Sequence, residues 1–318
     1  MNSPDGEQLR AWGESGAAAV AAALLYLSGG LFMFFLVPLA IIALRRGDEG
    51  YLVAALGTLV IVAVTRGVMA VQLDVGLSGF FFFGELAMPA GLLVGFGLLR
   101  LLRGRVSQWA YRYAVATGVA TLGAVPVMAA LGGSTGFEGA MEAQIVQMMR
   151  NLGAGDPEMA ARMIVDEAME MVLRSFALFF GIVLGIGALL GRHLVARFTT
   201  EEPYTPPVEK VAVPDAAVWP LLGGWALVGL DVLGNVGLLG YVGWNLALLF
   251  TLIYAVQGVG VATALMGRAG MNARSRRFAG IGLIAALFIP GINILVALGV
   301  PALGVSELWV DFKREKET

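Results

Sequence analysis

Two neighbouring apolar stretches decide the fold: residues 51–75, YLVAALGTLVIVAVTRGVMAVQLDV, and residues 80–102, FFFFGELAMPAGLLVGFGLLRLL. Each is long enough to cross the ~30 Å hydrocarbon core of a bilayer as an α-helix. Only residues 76–79 separate the stretches, so the pattern predicts an antiparallel helical hairpin. Each stretch also contains a charged residue at depth, Arg66 in the first and Glu85 in the second. Ionised groups inside a membrane are costly, which indicates that they have partners or a function.

The overall composition supports a membrane protein. Hydrophobic residues form 58% of the chain and charged residues 14%, with a mean hydropathy of +0.81, whereas soluble domains have about 25% charged residues. The net charge of −2 offers no basic surface for nucleic acid. Because the chain has no cysteine and a single histidine, disulfides, thiolate sites and multi-histidine metal sites are excluded. We therefore expect no metal and no cofactor.

Five further apolar runs predict an all-α fold, a polytopic transmembrane helical bundle. They cover residues 17–44, 109–131, 218–239, 243–266 and 279–305. Glycines at positions 29 and 30 interrupt the first run, which is either one long tilted helix or two helices, 8–27 and 31–45. With the long helix described below, the bundle has about eight spans, or nine if residues 8–45 form a hairpin. Residues 1–15 lack the basic start of a secretory signal, so we expect no cleaved leader.

An acidic, Met-rich segment interrupts the series of spans at residues 132–171. Apolar residues at helical spacing predict an amphipathic helix over residues 137–152. Asp156 and Pro157 supply an N-cap and a first-turn proline, which predicts a second helix from Glu158 to about residue 195. Such a helix is ~55–60 Å long and should protrude from the bilayer. The segment is either a lid or adaptable binding surface, or a pair of interfacial helices that cover the bundle.

These patterns describe a single integral membrane domain, residues 1–318, with six successive regions. They are N-terminal spans (8–131), the outer acidic segment (132–171), a long helix (172–198), a Pro-rich cytoplasmic linker (199–216), C-terminal spans (217–305) and a charged tail (306–318). Most of the 21 Lys and Arg residues lie in alternate loops, which the positive-inside rule places in the cytoplasm. The expected location is the bacterial cytoplasmic (inner) membrane.

With this orientation, several polar side chains share the outer half of the membrane: Arg66, Asp74, Glu85, Asp231, Asn235 and Asn245. Their common depth predicts an outward-opening polar cavity in which the Arg66 guanidinium holds an anion or a carboxylate. The alternative is structural: Arg66 pairs with Glu85 or Asp231, and the asparagines join helices. Gln257 and Asn293 lie deeper, and Asn293 follows a predicted break of the last run at Pro290 and Gly291. For both side chains we expect hydrogen bonds to backbone groups, with contact to an ion or substrate as the alternative.

Small residues four positions apart mark the start of the first apolar run. Ala17 and Ala18 are followed by Ala21 and Ala22, a spacing that lets membrane helices pack closely. These alanines either pack inside the chain or form a flat face that docks a partner membrane protein. The sequence has no phosphate-binding loop, nucleophile elbow or metalloprotease helix. We therefore do not expect an enzyme.

The order of several loose motifs resembles the YybS-like family of bacterial multi-pass membrane proteins, an uncharacterised domain. The motifs are VPL at 37–39 and LRRG at 44–47, then ELAMPA at 85–90; VP at 213–214 with WP at 219–220; and Asn245 with YAVQGVGV at 254–261 and LWVDFKR at 308–314. The resemblance covers nearly the whole chain and implies a fold rather than a reaction. That family is distantly similar to the S-components of energy-coupling-factor transporters. This similarity implies a ligand site in the outer half of the membrane and a docking face on an early helix.

Two functions remain as alternatives. The first is a small-ligand-binding or transport component with an outward cavity. The second is a non-transporting scaffold, or an assembly partner for envelope proteins, that acts through its Met-rich outer helices. The expected partners are the lipid bilayer, a small molecule or lipid, and another membrane protein, but not nucleic acid.

Overall fold

The protein was analysed as a computed structural model, which describes residues 4–72, 79–106, 108–132, 135–151, 153, 156–195, 206–234, 236–310 and 312. Within these residues the fold is all-helical, as predicted. The helices are α1 (Pro4–Leu27), α2 (Leu36–Gln72), α3 (Gly79–Leu101), α4 (Trp109–Gly132), α5 (Thr135–Asn151), α6 (Pro157–Val195), α7 (Val218–Gly234), α8 (Leu238–Arg268), α9 (Ala273–Ala286) and α10 (Ile292–Ser306).

Four helical segments of the described chain are long and apolar enough to cross a membrane. They are Phe32–Met69, Pro157–Leu194, Asp215–Gly234 and Leu238–Arg268. Shorter apolar helices cover Leu86–Leu101 and Ile292–Ser306. By length and composition these helices indicate a membrane protein. The count of eight or nine passes stays a prediction.

The chain forms two compact units. The first contains residues 1–100 and 115–203, and the second contains residues 101–114 and 204–318. The division after Pro203 falls inside the Pro-rich linker that the sequence predicts as the only internal boundary. The sequence did not predict that residues 101–114, which include the first turn of α4, group with the second unit.

In the first unit, α1 turns back at a glycine pair. Gly29 has a positive φ of 70°, which suits glycine because it has no Cβ. The Ser28 hydroxyl donates to the Leu25 carbonyl and accepts from the Leu31 amide. The first run is therefore a hairpin, and the alternative of one long tilted helix is wrong.

A second reversal at Gly47 divides α2. Before Gly47, α2 runs antiparallel to α1, since the Tyr26 and Phe35 rings meet at 5.4 Å near the turn and Arg46 Nε donates to Glu14 at 2.9 Å near the other end. Gly47 has φ 71° and ψ −157°, which is not helical.

Beyond Gly47, α2 runs in the same direction as α1. Gly50 lies beside Ser15, and further along both helices the Thr58 hydroxyl lies 3.4 Å from the Ala19 carbonyl oxygen. Residues 36–46 and 48–72 are thus two antiparallel helical segments. A new helical segment begins near Tyr51, as predicted, and its passage through the membrane stays a prediction.

Glycines let helices of the first unit approach closely. A Cβ at Gly91 would lie 2.7 Å from the Ala120 carbonyl oxygen, and a Cβ at Gly95 would lie 2.7 Å from the Ala116 carbonyl oxygen. These contacts make α3 and α4 an antiparallel pair. Such close backbone approach is the packing that small residues permit in membranes.

The acidic segment folds as the predicted pair of helices. Arg162 Nε lies 2.7 Å from Glu142 Oε1, and Arg150 lies 3.4 Å from Glu158, so α5 and the start of α6 are antiparallel. The Asp156 carboxylate accepts from the Met159 amide at 3.1 Å, which confirms the N-cap. With 39 residues, α6 is ~58 Å long.

The second unit begins with an antiparallel hairpin of α7 and α8. Gly224 packs against the backbone of Ala247, and Gly243 packs against Leu227. α7 ends at Gly234 rather than at residue 239 as predicted, and Gly237 with φ 61° precedes α8. The apolar residues 238 and 239 belong to α8, because hydropathy does not register a turn between two apolar segments.

The last predicted span, residues 279–305, is two helices. α9 has 14 residues and α10 has 15, so each is only ~21–23 Å long. Between them, Asn293 Oδ1 accepts from the amides of Gly291 and Ile294 at 3.1 and 2.9 Å. The expected backbone role of Asn293 is confirmed, and so is the predicted break at Pro290 and Gly291.

The contact between Glu14 and Arg46 predicts an acid-sensitive hairpin. The Arg46 hydrogen bond holds the pKa of Glu14 below its ordinary value of 4.5. A lowered pKa stabilises the fold above the unfolded-state pKa, and this contribution is lost as pH falls through the folded-state pKa. Below about pH 4.5 we expect the midpoint of thermal unfolding of the parent to decrease. In Glu14→Gln this decrease should be smaller. The control Glu158→Gln, at an exposed pair on α6, should keep the parent profile; an unchanged profile in Glu14→Gln would contradict this reading.

Candidate functional site

The predicted outward cavity is only partly within the described residues. Asp74 and Asn235 lie outside them, as does the side chain of Glu85 on α3. Arg66 is half-buried on α2 in the first unit, whereas Asp231 and Asn245 belong to the second unit. The cavity that would join these residues stays a prediction.

Arg66 lies at the height of the α1 turn. Arg66 lies eight residues after Thr58 on α2, and Leu27 lies eight residues after Ala19 on α1. Thr58 contacts Ala19, and the two helices run the same way from that contact. Arg66 and Leu27 therefore both lie ~12 Å beyond it. The carboxyl end of α1 is thus at about the same height as Arg66 on α2.

Asp231 is buried between α7 and α8. Its carboxylate accepts from the Trp244 indole at 3.3 Å, and the carboxylate packs so closely on Gly240 that a Cβ there would overlap it. Asn245 donates to the Tyr241 carbonyl at 2.9 Å on its own helix. These contacts differ from those of the structural alternative, in which Arg66 pairs with Glu85 or Asp231 and the asparagines join helices. The roles of both side chains stay predictions.

The four alanines proposed for docking do not share one environment. Ala17 is exposed, Ala18 and Ala21 are half-buried, and Ala22 is fully buried. Next to them, Ala19 lies against Gly57 of α2. Part of this small-residue stretch therefore packs inside the chain, and Ala17 marks the face that remains open.

Gln257 joins three elements of the second unit. Its Oε1 accepts from the Val213 amide at 2.6 Å, and its Nε2 donates to the Gly304 carbonyl at 3.0 Å. The side chain is 3% exposed. Gln257 thus fixes the linker before α7 and the end of α10 against α8, which is the backbone role expected from the sequence.

A groove between the start of α7 and the end of α10 was not predicted. Its volume is about 550 Å³. Leu221, Leu222 and Val305 are among its apolar lining residues, and two exposed indoles, Trp219 and Trp309, lie in its wall with the Asp215 carboxylate. Aromatic rings with one acid can hold an amphiphile that has a cationic head. The WP motif and the LWVDF motif are its only sequence signals.

A smaller pocket of about 280 Å³ lies in the first unit, beside the Gly47 reversal. Trp12, Arg46 and Glu49 contribute to its lining. Among the described residues no group of three or more acidic, histidine or cysteine side chains is placed to hold a metal ion.

Neighbouring charges also fix the Gly47 reversal. Arg100 at the end of α3 lies 2.8 Å from Asp48, donates to the Ala43 carbonyl at 3.1 Å, and stacks over the Tyr51 ring at 5.5 Å. In the sequence, Arg100 is one of several arginines of a basic loop, and no local pattern indicates these contacts.

Comparison of the chain with protein families, with curated proteins and with solved structures found no match.

Proposed function

We propose that this chain is a multi-pass protein of a bacterial cytoplasmic membrane that binds a small amphiphilic ligand with a cationic head. The observation that carries the proposal is the groove of about 550 Å³ with Trp219, Trp309 and Asp215 in its wall. Lys and Arg bias in alternate loops supports the membrane and its orientation.

The chemistry of the groove favours an organic cation. The exposed fractions of Trp219 and Trp309 are 72% and 76%, so their π-faces are accessible to a ligand. A cation over an indole gains about 0.5–1 kcal/mol at an exposed site. Asp215 adds one negative charge, and the leucines and Val305 offer a surface for an apolar tail. The groove opens beside the linker, which the topology places on the cytoplasmic side.

Quenching of tryptophan fluorescence tests this proposal. Brominated alkyl trimethylammonium should quench at lower concentration than the brominated alkyl sulfate of equal chain length. We expect Trp309→Phe to lose the difference in quenching concentration between the two surfactants. Asp215→Asn should reduce that difference roughly two- to fivefold, as for one exposed charge pair. Trp12→Phe, in the separate small pocket, is the matched control. Equal quenching by both surfactants would contradict a cation site.

Transport through an outward polar cavity extends this proposal. Arg66 is its expected anion or carboxylate anchor. Native mass spectrometry of the parent and of Arg66→Ala addresses it directly. Loss of a bound small anion on substitution would support the cavity. Unchanged bound ligands together with reduced stability would assign a structural role to Arg66.

A scaffold for envelope proteins is the second candidate, and the α5–α6 pair favours it. Met148, Met159, Met163 and Met171 are all more than half exposed. Methionine surfaces adapt to varied partners. Photo-crosslinking from position 163 in cells should then capture one envelope protein reproducibly, whereas crosslinks to lipid alone would remove this candidate.

A further inference from the structure

The first turn of α4 contains two buried hydrogen-bond donors without acceptors. Arg112 is 7% exposed, and its Nε has no hydrogen-bond partner; Trp109 is 8% exposed, and its Nε1 has none. Both side chains can only donate hydrogen bonds. An unmatched buried donor costs about 1–3 kcal/mol, and a buried charge costs more. The missing partner must therefore be an acceptor.

The two donors lie on one face of the helix. Residues three apart are neighbours on a helical surface, and helical side chains lean toward the amino terminus. Trp109 is held by stacking on Tyr113, with ring centroids 4.9 Å apart. Both residues thus lie within the first turn of α4, where the amino-terminal backbone amides and the helix dipole also favour an anion.

The charges around Arg112 are positive. Arg103 is near enough for the two guanidinium groups to repel each other, and the described residues give Arg112 no carboxylate within ion-pair distance. A buried charge without a counter-ion is strongly unfavourable. The short loop 101–108 also belongs to the basic set that the topology places at the cytoplasmic surface, where lipid phosphates lie.

We propose that Trp109 and Arg112, assisted by Arg103, form a binding site for a phosphate group at the amino terminus of α4. The phosphate comes from an anionic phospholipid headgroup or from free phosphate in solution. Arg112 donates from a planar fork that matches phosphate oxygens, and Trp109 adds a single neutral donor. The site shares no lining residue with the groove of α7 and α10, so either proposal can fail alone.

The test compares the full-length protein in micelles of a non-ionic maltoside detergent and phosphate-free buffer with the same micelles to which phosphatidylglycerol is added. Thermal unfolding and native mass spectrometry report stability and retained lipid. The parent should be stabilised by phosphatidylglycerol and should retain it. Arg112→Met should bind it roughly ten- to a hundredfold more weakly, as expected for loss of a charged hydrogen-bonding group. Trp109→Phe keeps the ring and should weaken binding roughly two- to tenfold.

The sign of the stability change separates this site from a structural role. In the phosphate-free detergent, Arg112→Met removes an uncompensated charge and should be more stable than the parent; with phosphatidylglycerol the order should reverse. Arg105→Gln, an exposed charge in the same loop, is the control and should retain the lipid. Stabilisation of the parent by inorganic phosphate in the same detergent would assign the site to the free ion. No response to either phosphate source, or equal losses in Arg105→Gln and Arg112→Met, would overturn the proposal.

Discussion

Gly304→Ala is expected to separate α10 from α8 and to cost about 3 kcal/mol or more of stability, at the upper end of overpacking effects. A Cβ at Gly304 would overlap the Tyr254 carbonyl oxygen, and a Cβ at Gly258 would overlap the Val300 carbonyl oxygen. The obstructing atoms are backbone atoms, which cannot rotate away as a side chain can. The two helices must therefore move apart along their contact.

Gly299→Ala in the same helix is the matched control. Nothing lies within 4 Å of a Cβ at Gly299, and alanine is the better helix former by about 1 kcal/mol. The two substitutions add the same methyl group to α10 and should change the midpoint of thermal unfolding in opposite directions. If Gly304→Ala is tolerated as well as Gly299→Ala, the close α8–α10 contact is wrong.

Gln257→Leu is expected to release the linker from the second unit. The substitution preserves approximate volume but leaves the Val213 amide and the Gly304 carbonyl without their partners. Each unsatisfied buried group costs about 1–3 kcal/mol, so we expect a loss of about 2–5 kcal/mol. Limited proteolysis should show faster cleavage between residues 206 and 217 before the helices unfold.

Gln147→Leu provides the comparison for this change. Gln147 is exposed on α5 and contacts only Asn151 in the described structure, at 3.5 Å. Its substitution should change stability by less than about 0.5 kcal/mol, as is usual for surface positions. Equal proteolysis of the linker in both variants would show that Gln257 does not hold it.

The sequence predicted the helices better than their connections. Runs of apolar residues located α3, α4 and α6 closely because hydropathy reports which residues avoid water. The Asp156 cap and the Asn293 backbone role also followed, since both depend on neighbours a few positions away. The break at Pro290 and Gly291 was also predicted, because proline and glycine interrupt helices. The end of α7 at Gly234 was not predicted, because hydropathy does not register a turn between two apolar segments.

The groove and the α4 site depend on distant contacts that no local pattern encodes. Asp215 and Trp309 are brought together by the packing of α8 with α10. The burial of Arg112 cannot be inferred from the sequence, in which Arg112 is one of several arginines of a basic loop. The predicted depth of Asp231 does not by itself distinguish a cavity from a packed interface, because that distinction depends on which residues of other helices lie against the carboxylate.

The reversal at Gly47 also bears on how the protein enters the membrane during synthesis. The hairpin of α1 and residues 36–46 has both of its ends at Glu14 and Arg46, which are in contact. Two joined apolar arms can insert together as one loop-first unit. In the nine-span prediction, Glu14 and Arg46 would then remain on one side of the membrane while the apolar tip around Gly29 crosses it.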